Sequence, residues 1–319
     1  MKAIRVDNGR TWFEAKAQAP AVEPGEALIR PLRMGVCAHD VAVPGPITLG
    51  QEFVGVVERL HADADRDLCK RWEGKRIVGA PGVACGRCDL CKAGLASHCR
   101  ARRVMGVTGW DGCFAERFKL PLRNLVEVPA NVHDDAAVFA LALADAAHAA
   151  HMVRIEGKTY VTVLGDGVPA LLCAQALVRL NASVRLLGQR PDNFGLCERW
   201  GIKHRHIGDV GRRADQDVVV DATQTGAGVD LALHLVRPRG KIVLTGHPSA
   251  APPSLAPLVE SEVELVGARG GSLSDAVAML ARAEVDPLPL ITKRMKLADG
   301  PAALRAAQDP DQIKVLLEP

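Results

Sequence analysis

Between residues 85 and 99 the chain reads Cys-Gly-Arg-Cys-Asp-Leu-Cys-Lys-Ala-Gly-Leu-Ala-Ser-His-Cys, so Cys85, Cys88, Cys91 and Cys99 stand at separations of three, three and eight. A single loop of this length can wrap a tetrahedral ion at Zn–S distances of ~2.3 Å. Four thiolates leave no open coordination position, so a zinc held there is structural. Iron–sulfur centres and redox clusters use related spacings, but the complete and compact ligand set favours zinc. His98, beside the last cysteine, reads as a solvated loop residue.

A second constellation is Gly165-x-Gly167-x-x-Ala170, which directly follows Val161-Thr-Val-Leu and precedes an apolar, helix-like segment. Glycines between a strand and a helix allow a tight turn and let the backbone approach a pyrophosphate seated on the helix N-terminus. The strand–turn–helix context raises this match above an ordinary βα turn. Roughly 20 residues further on, an Asp or Glu would hold the ribose 2′-hydroxyl of NAD. This chain has Leu187-Gly188-Gln189-Arg190 there instead. A small Gly188 leaves room for a 2′-phosphate and Arg190 pairs with one, which favours NADP(H) over NAD(H).

These residues need elements to hold them. The first third alternates short β-rich runs (Ala27-Leu-Ile-Arg-Pro, Phe53-Val-Gly-Val-Val, Arg76-Ile-Val-Gly) with Gly and Pro, the pattern of a barrel-like β domain. From about Asp134 an Ala-rich stretch, 136–153, predicts a helix. Strands at 160–164, 184–187, 217–221, 241–245 and 263–267 then alternate with helical segments at 170–180 and 229–236, which predicts a parallel, doubly wound sheet. The closing Ile313-Lys-Val-Leu-Leu predicts a strand. The expected division is a β-rich domain at 1–133, completed by 287–319, around an α/β domain at 134–286.

Composition narrows the class. At 319 residues the chain exceeds the size of one hydrophobic core, and a net charge of +3 gives no field for nucleic acid or anionic membrane. One tyrosine, four tryptophans and six phenylalanines are too few for a base-stacking surface. The longest apolar run, 136–144, falls far below the ~18 residues of a membrane span. The start, Met1-Lys2-Ala3-Ile4-Arg5, has no secretory pattern, so a cytoplasmic protein is expected. Nine cysteines there read as metal ligands or small core residues before they read as disulfides.

The four-cysteine lobe followed by the glycine-rich turn resembles the medium-chain dehydrogenase/reductase superfamily, and within it the zinc-containing alcohol dehydrogenases. Further blocks that carry the resemblance are Gly35-Val-Cys-Ala-His-Asp40, Gly50-Gln-Glu-Phe-Val-Gly, Gly112-Cys-Phe-Ala-Glu116, Val220-Asp-Ala-Thr223, Arg237-Pro-Arg-Gly-Lys-Ile-Val-Leu-Thr-Gly246 and Lys314-Val-Leu-Leu. The resemblance implies a GroES-like catalytic domain, a Rossmann domain, and hydride transfer between nicotinamide and the alcohol or carbonyl of a small-molecule substrate. It also implies a homodimer or homotetramer formed through the Rossmann sheet edge. Substrate loops are expected between Cys37 and Gln51, at 108–110, 246–253 and 269–272.

The chain departs from this family at the catalytic metal. Relatives that carry one supply a Cys, a His and a third Cys, Asp or Glu; the matching positions here are Cys37, Gln51 and Leu141. One ligand of three remains, and an amide replaces imidazole poorly. Glu52, His39, Asp40, Asp145 and His148 offer donors for a rearranged site. Equally, Asp145 and His148 read as one polar helix face and Asp40 as a cap. His39 stands where relatives carry a hydroxyl-bearing relay residue, and imidazole can donate a proton as hydride arrives. The expected catalytic set is therefore His39 and Cys37, with Glu52 or His148. A catalytically silent dinucleotide- and zinc-binding protein fits the same losses. The zinc-free quinone reductase-like branch fits them less well, because it usually lacks the cysteine lobe.

Overall fold

The computed structural model describes residues 1–37, 40, 43–153, 159–246 and 254–319. They form two compact units, Met1–Leu141 with Asp286–Pro319, and Ala142–Val285. The first unit runs on to Leu141 rather than stopping at residue 133. Buried Val138 packs against Gly35, and Phe139 lies under the Lys314 ammonium, so the start of the Ala-rich segment belongs to the β-rich unit. That segment is also two helices, Asp134–Ala137 and Ala140–His151, not one.

The first unit is built on a sheet in the order Leu125–Glu127, Arg76–Gly79, Glu52–Leu60, Glu26–Val36, Lys314–Glu318, Ile291–Lys296, with Phe118–Pro121 also pairing with Glu26–Val36. The long strand Glu26–Val36 organises it. Its first half pairs with Phe118–Pro121 and its second half with Lys314–Glu318, both antiparallel. The Glu52–Leu60 strand lies along its other side, with Glu52 opposite Gly35. Glu52 and Lys314, 262 residues apart in sequence, thereby become neighbours across Gly35. Ile29, Met34, Phe53, Val57, Ile77, Phe114 and Phe118 fill the core, with Phe53 edge-on to Phe118 at 4.6 Å. Each such side chain contributes roughly 1.5–3 kcal/mol on burial.

The second unit holds a six-stranded sheet in the order Lys203–His206, Ser183–Gly188, Tyr160–Leu164, Gln216–Asp221, Val236–Leu244, Glu264–Gly267. Every neighbouring pair is parallel. Tyr160–Leu164 is central, and its Val161, Thr162, Val163 and Leu164 are all buried, as a parallel strand covered on both faces requires. Helices Val168–Arg179 and Gly226–Leu235 follow the first and fourth strands in chain order. The strand Lys203–His206 and the helix Phe194–Arg199 escape the sequence pattern. Lys203-His-Arg-His has no apolar residue, and as an edge strand it needs none. The sheet is the doubly wound Rossmann type, with the order reversing beside the glycine-rich turn. Among the described residues, no helix is long and apolar enough to cross a membrane.

Candidate functional site

The cysteine lobe is a short helix, Asp89–Lys92, and a 3-10 turn, Ala96–His98, between the first and last cysteine. Their turns bring the four Sγ atoms within 4.8 Å of one another. Backbone N–H groups point at the sulfurs: Cys85 N–H donates to Cys99 Sγ at 3.2 Å. The N–H groups of Cys91 and Arg100 pull the Cys88 thiol down to about 6, whereas burial and the facing Cys88 and Cys99 sulfurs push Cys91 up to about 12. Outside the sulfurs, Arg100 Nε and Nη2 clamp the Asp89 carboxylate at 3.0 and 2.8 Å. Four sulfurs with this convergence and an N–H-rich shell fit one tetrahedral zinc.

In the second unit, Gly165 ends the central strand at φ +110°, in the left-handed region where glycine is strain-free. Gly167 is the N-cap of helix Val168–Arg179, and Ala170 packs inside the first turn. A cavity of about 320 Å³ opens over this turn, lined by Gly165, Asp166, Gly188, Arg190 and Thr223 among others. Across it, Thr223 donates backbone N–H and Oγ1 to Asp221, whose carboxyl is raised by burial against those two bonds. The turn, helix start and cavity suit a dinucleotide, with Gly167 and the N–H groups of the first turn toward pyrophosphate. Pro169 subtracts one donor from that turn.

The first unit contains a buried polar cluster around Cys37. Glu52 is buried and ion-paired with Lys314 Nζ, itself 4% exposed. Gly35 makes this possible: a Cβ there would stand 2.6 Å from Glu52 Oε2 and 2.8 Å from Lys314 Cε. Burial pulls the Lys314 ammonium down, but Glu52, Cys37 and Asp40 together hold it above its ordinary value. Asp40 is fully buried, and its Oδ2 accepts the Cys37 N–H at 2.8 Å. Burial raises its carboxyl to about 7, with the Cys37 and Gln51 hydrogen bonds opposing. Among the described residues its Oδ1 has no partner. Cys113 Sγ points at the Glu52 carbonyl at 3.6 Å, and burial together with Asp40 and Glu52 keeps its thiol protonated.

The remaining candidates separate. His39 and residues 247–253 lie outside the described residues. Asp145 and His148 sit on helix Ala140–His151 in the second unit. Asp145 accepts the N–H groups of Gly270 and Gly271 at 3.0 and 3.3 Å, and a Cβ on Gly271 would stand 3.1 Å from His148 Cβ. That face of the helix therefore carries a packed glycine turn.

Residues 23–130 match the model of the alcohol dehydrogenase GroES-like domain. A zinc-type alcohol dehydrogenase-like protein of Haemophilus influenzae is 26% identical over 97% of this chain and 95% of its own length. An L-threonine 3-dehydrogenase of Streptomyces avermitilis is 29% identical over 94% and 93%. A protein described as a zinc-binding dehydrogenase, from Sinorhizobium meliloti 1021 and solved bound to NADP, superposes with a TM-score of 0.87 at 25% identity, covering 100% and 99% of the two chains. Residues 23–130 are thus an alcohol dehydrogenase GroES-like domain, and the chain over nearly its whole length is similar to zinc-type alcohol dehydrogenases of the medium-chain dehydrogenase/reductase superfamily.

Set beside the zinc-type dehydrogenases it is similar to, the chain treats its two candidate metal positions differently. The lobe fits its ion. The positions that the resemblance assigns to a catalytic zinc do not: Gln51 and Leu141 stand at two of them, Lys314 engages Glu52, and the Cys37 N–H and Gln51 engage Asp40. Among the described residues, the four-cysteine set is the one group of three or more metal-capable side chains whose donor atoms converge. Sequence reasoning missed Lys314 and the tie between Gln51 and Asp40. Lys314 left one signal, a lone charge opening the apolar run Val-Leu-Leu of a strand that joins the sheet centre.

Proposed function

We propose that this chain is an NADP(H)-dependent oxidoreductase that exchanges hydride between the nicotinamide and an alcohol or carbonyl carbon, or an activated alkene, without a catalytic zinc. The carrying observation is the cavity in which the glycine-rich turn faces Gly188 and Arg190. The NADP-bound relative, together with an L-threonine 3-dehydrogenase and a 2-dehydro-3-deoxy-L-galactonate 5-dehydrogenase among the similar proteins, supports this reading. When bound, the cofactor supplies or accepts the hydride. The chain's own part is to seat pyrophosphate at Gly165, Gly167 and the following helix start, to pair Arg190 with the 2′-phosphate, and to deliver a proton to the nascent alkoxide. We assign that proton to the imidazole of His39, two residues after Cys37. The structural zinc shapes the lobe and takes no part in the step.

NADPH oxidation followed over aldehydes, ketones and enones tests this. His39→Ala lowers turnover by ~10² or more, as loss of a general acid does; a loss below ~10-fold defeats the assignment. The engagement of Glu52 by Lys314, and of Asp145 by its glycine turn, favours one rival, a silent zinc- and dinucleotide-binding protein. That rival binds NADPH and turns over nothing in the same panel. We further propose a cytoplasmic homodimer or homotetramer, without nucleic-acid or membrane partners, joined at the edge strand Glu264–Gly267. Leu265 in that strand is 39% exposed and Val259 in the preceding helix 81%. Light scattering of Leu265→Lys against the parent chain reads the state.

A further inference from the structure

The adenosine end of the cofactor cavity holds an acid that the strand end lacks. Asp166 stands between the two fingerprint glycines, and its carboxylate reaches over position 188. A Cβ at Gly188 would lie 2.8 Å from Asp166 Oδ2 and 2.9 Å from Asp166 Cβ. No larger residue fits at 188 while Asp166 occupies that space, so the two positions act as one unit.

The hydrogen bonds of Asp166 define its role. Oδ2 accepts the backbone N–H groups of Gln189 and Arg190 at 2.8 and 2.7 Å. Oδ1 accepts Arg190 Nε at 3.3 Å and Nη2 at 3.1 Å. Its main-chain carbonyl takes Arg190 Nη2 at 3.2 Å and Asn193 Nδ2 at 3.0 Å. A carboxylate has about four acceptor positions, and all are filled within the protein. Asp166 therefore does not replace the missing ribose acid by grasping a hydroxyl. It is a fixed negative charge against the arginine that would meet a 2′-phosphate, and both residues line the cavity.

Resting on the dinucleotide reading above, we propose that Asp166 sets the discrimination between NADP(H) and NAD(H), acting as the counter-ion that a 2′-phosphate must displace from Arg190. The phosphate brings a charge of roughly −2, attracted by the guanidinium and repelled by the carboxylate a few ångströms away. With both present the local charge is close to neutral, and the preference for NADP(H) stays well below what an arginine alone would give.

Dissociation constants for NADP⁺ and NAD⁺, measured by calorimetry at one ionic strength, test this. Asp166→Asn keeps the shape and one acceptor oxygen but deletes the charge. The ratio of NADP⁺ to NAD⁺ affinity rises by ~10-fold or more, and Asp166→Ser moves it the same way. Arg190→Ala lowers that ratio by ~10-fold or more. Because the readout is a ratio, loosening of the turn, which weakens both ligands together, does not mask the effect. An unchanged ratio in both Asp166 variants, or a fall, overturns the proposal; a fall would mean that Asp166 serves to aim Arg190. If the parent chain binds neither dinucleotide, the cofactor reading itself fails, a result distinct from an unmoved ratio.

Discussion

The cysteine lobe and the pocket around Cys37 both offer metal-capable side chains, but they differ in what those donors already touch. In the lobe, four sulfurs within 4.8 Å face one another, and backbone N–H groups donate to Cys99 Sγ and hold the Cys88 thiol down. Around Cys37 the carboxylates are engaged elsewhere: Glu52 by Lys314, and Asp40 by the Cys37 N–H and Gln51. A donor count taken from sequence makes the second pocket look nearly as well supplied as the first. The geometry shows that a carboxylate held by an ammonium is not available to an ion without leaving the ammonium unpaired, a cost that buried pairs resist.

The largest effect that tests this contrast is on the metal itself. The parent chain carries one zinc per molecule by atomic emission, and Cys88→Ser carries close to none and loses the folded lobe, as structural sites do. Two zincs per chain would break the comparison, because the Cys37 pocket would then hold an ion. Next is the buried pair. Lys314→Met strands the Glu52 carboxylate and lowers the free energy of unfolding by roughly 3–5 kcal/mol in denaturant titrations, whereas Lys314→Met with Glu52→Leu regains most of it. If the double variant is as unstable as the single, the pair is not what commits Glu52.

A smaller effect is carried by pH. The Asp40 carboxyl moves from an ordinary 3.8 to about 7 on folding, so between those values the folded state binds the extra proton. Stability then falls as pH rises through that window and levels above it. Asp40→Asn removes this component, so the parent chain loses more stability than the variant between pH 4 and 7, by on the order of a few kcal/mol. Identical pH profiles would place Asp40 in contact with water. The smallest effect is expected at Cys37: Cys37→Ala leaves the zinc content unchanged, and a fall would reveal a ligand role there.

How much was legible follows from distance along the chain. The lobe was readable because its ligands lie within one loop, where spacing is geometry. The glycine turn was readable because strand, turn and helix are consecutive. Asp166 was visible as a residue but not as a partner of Arg190, since nothing local says that a loop side chain folds back over the end of the next strand. Lys203–His206 stayed hidden because its half-buried face is made of two histidines, His204 stacking on Phe194, so the strand carries no apolar alternation. The boundary at Leu141 stayed hidden because an Ala-rich helix start looks alike whichever unit its Val138 and Phe139 enter.

By itself, then, the sequence determined the two-part α/β architecture and the close spacing of the four cysteines, and it carried the expectations of a dinucleotide turn and of a catalytic-zinc position short of two ligands. All of these rest on residues near one another in the chain or on periodicity of burial. The tertiary structure alone decided which of the remaining donors are available. Strand pairing sets Lys314 beside Glu52 across Gly35, and the parallel sheet sets Asp166 against Gly188 and Arg190. A side chain's chemistry is fixed by its type, but its charge and freedom depend on neighbours that only the folded sheet brings within a few ångströms.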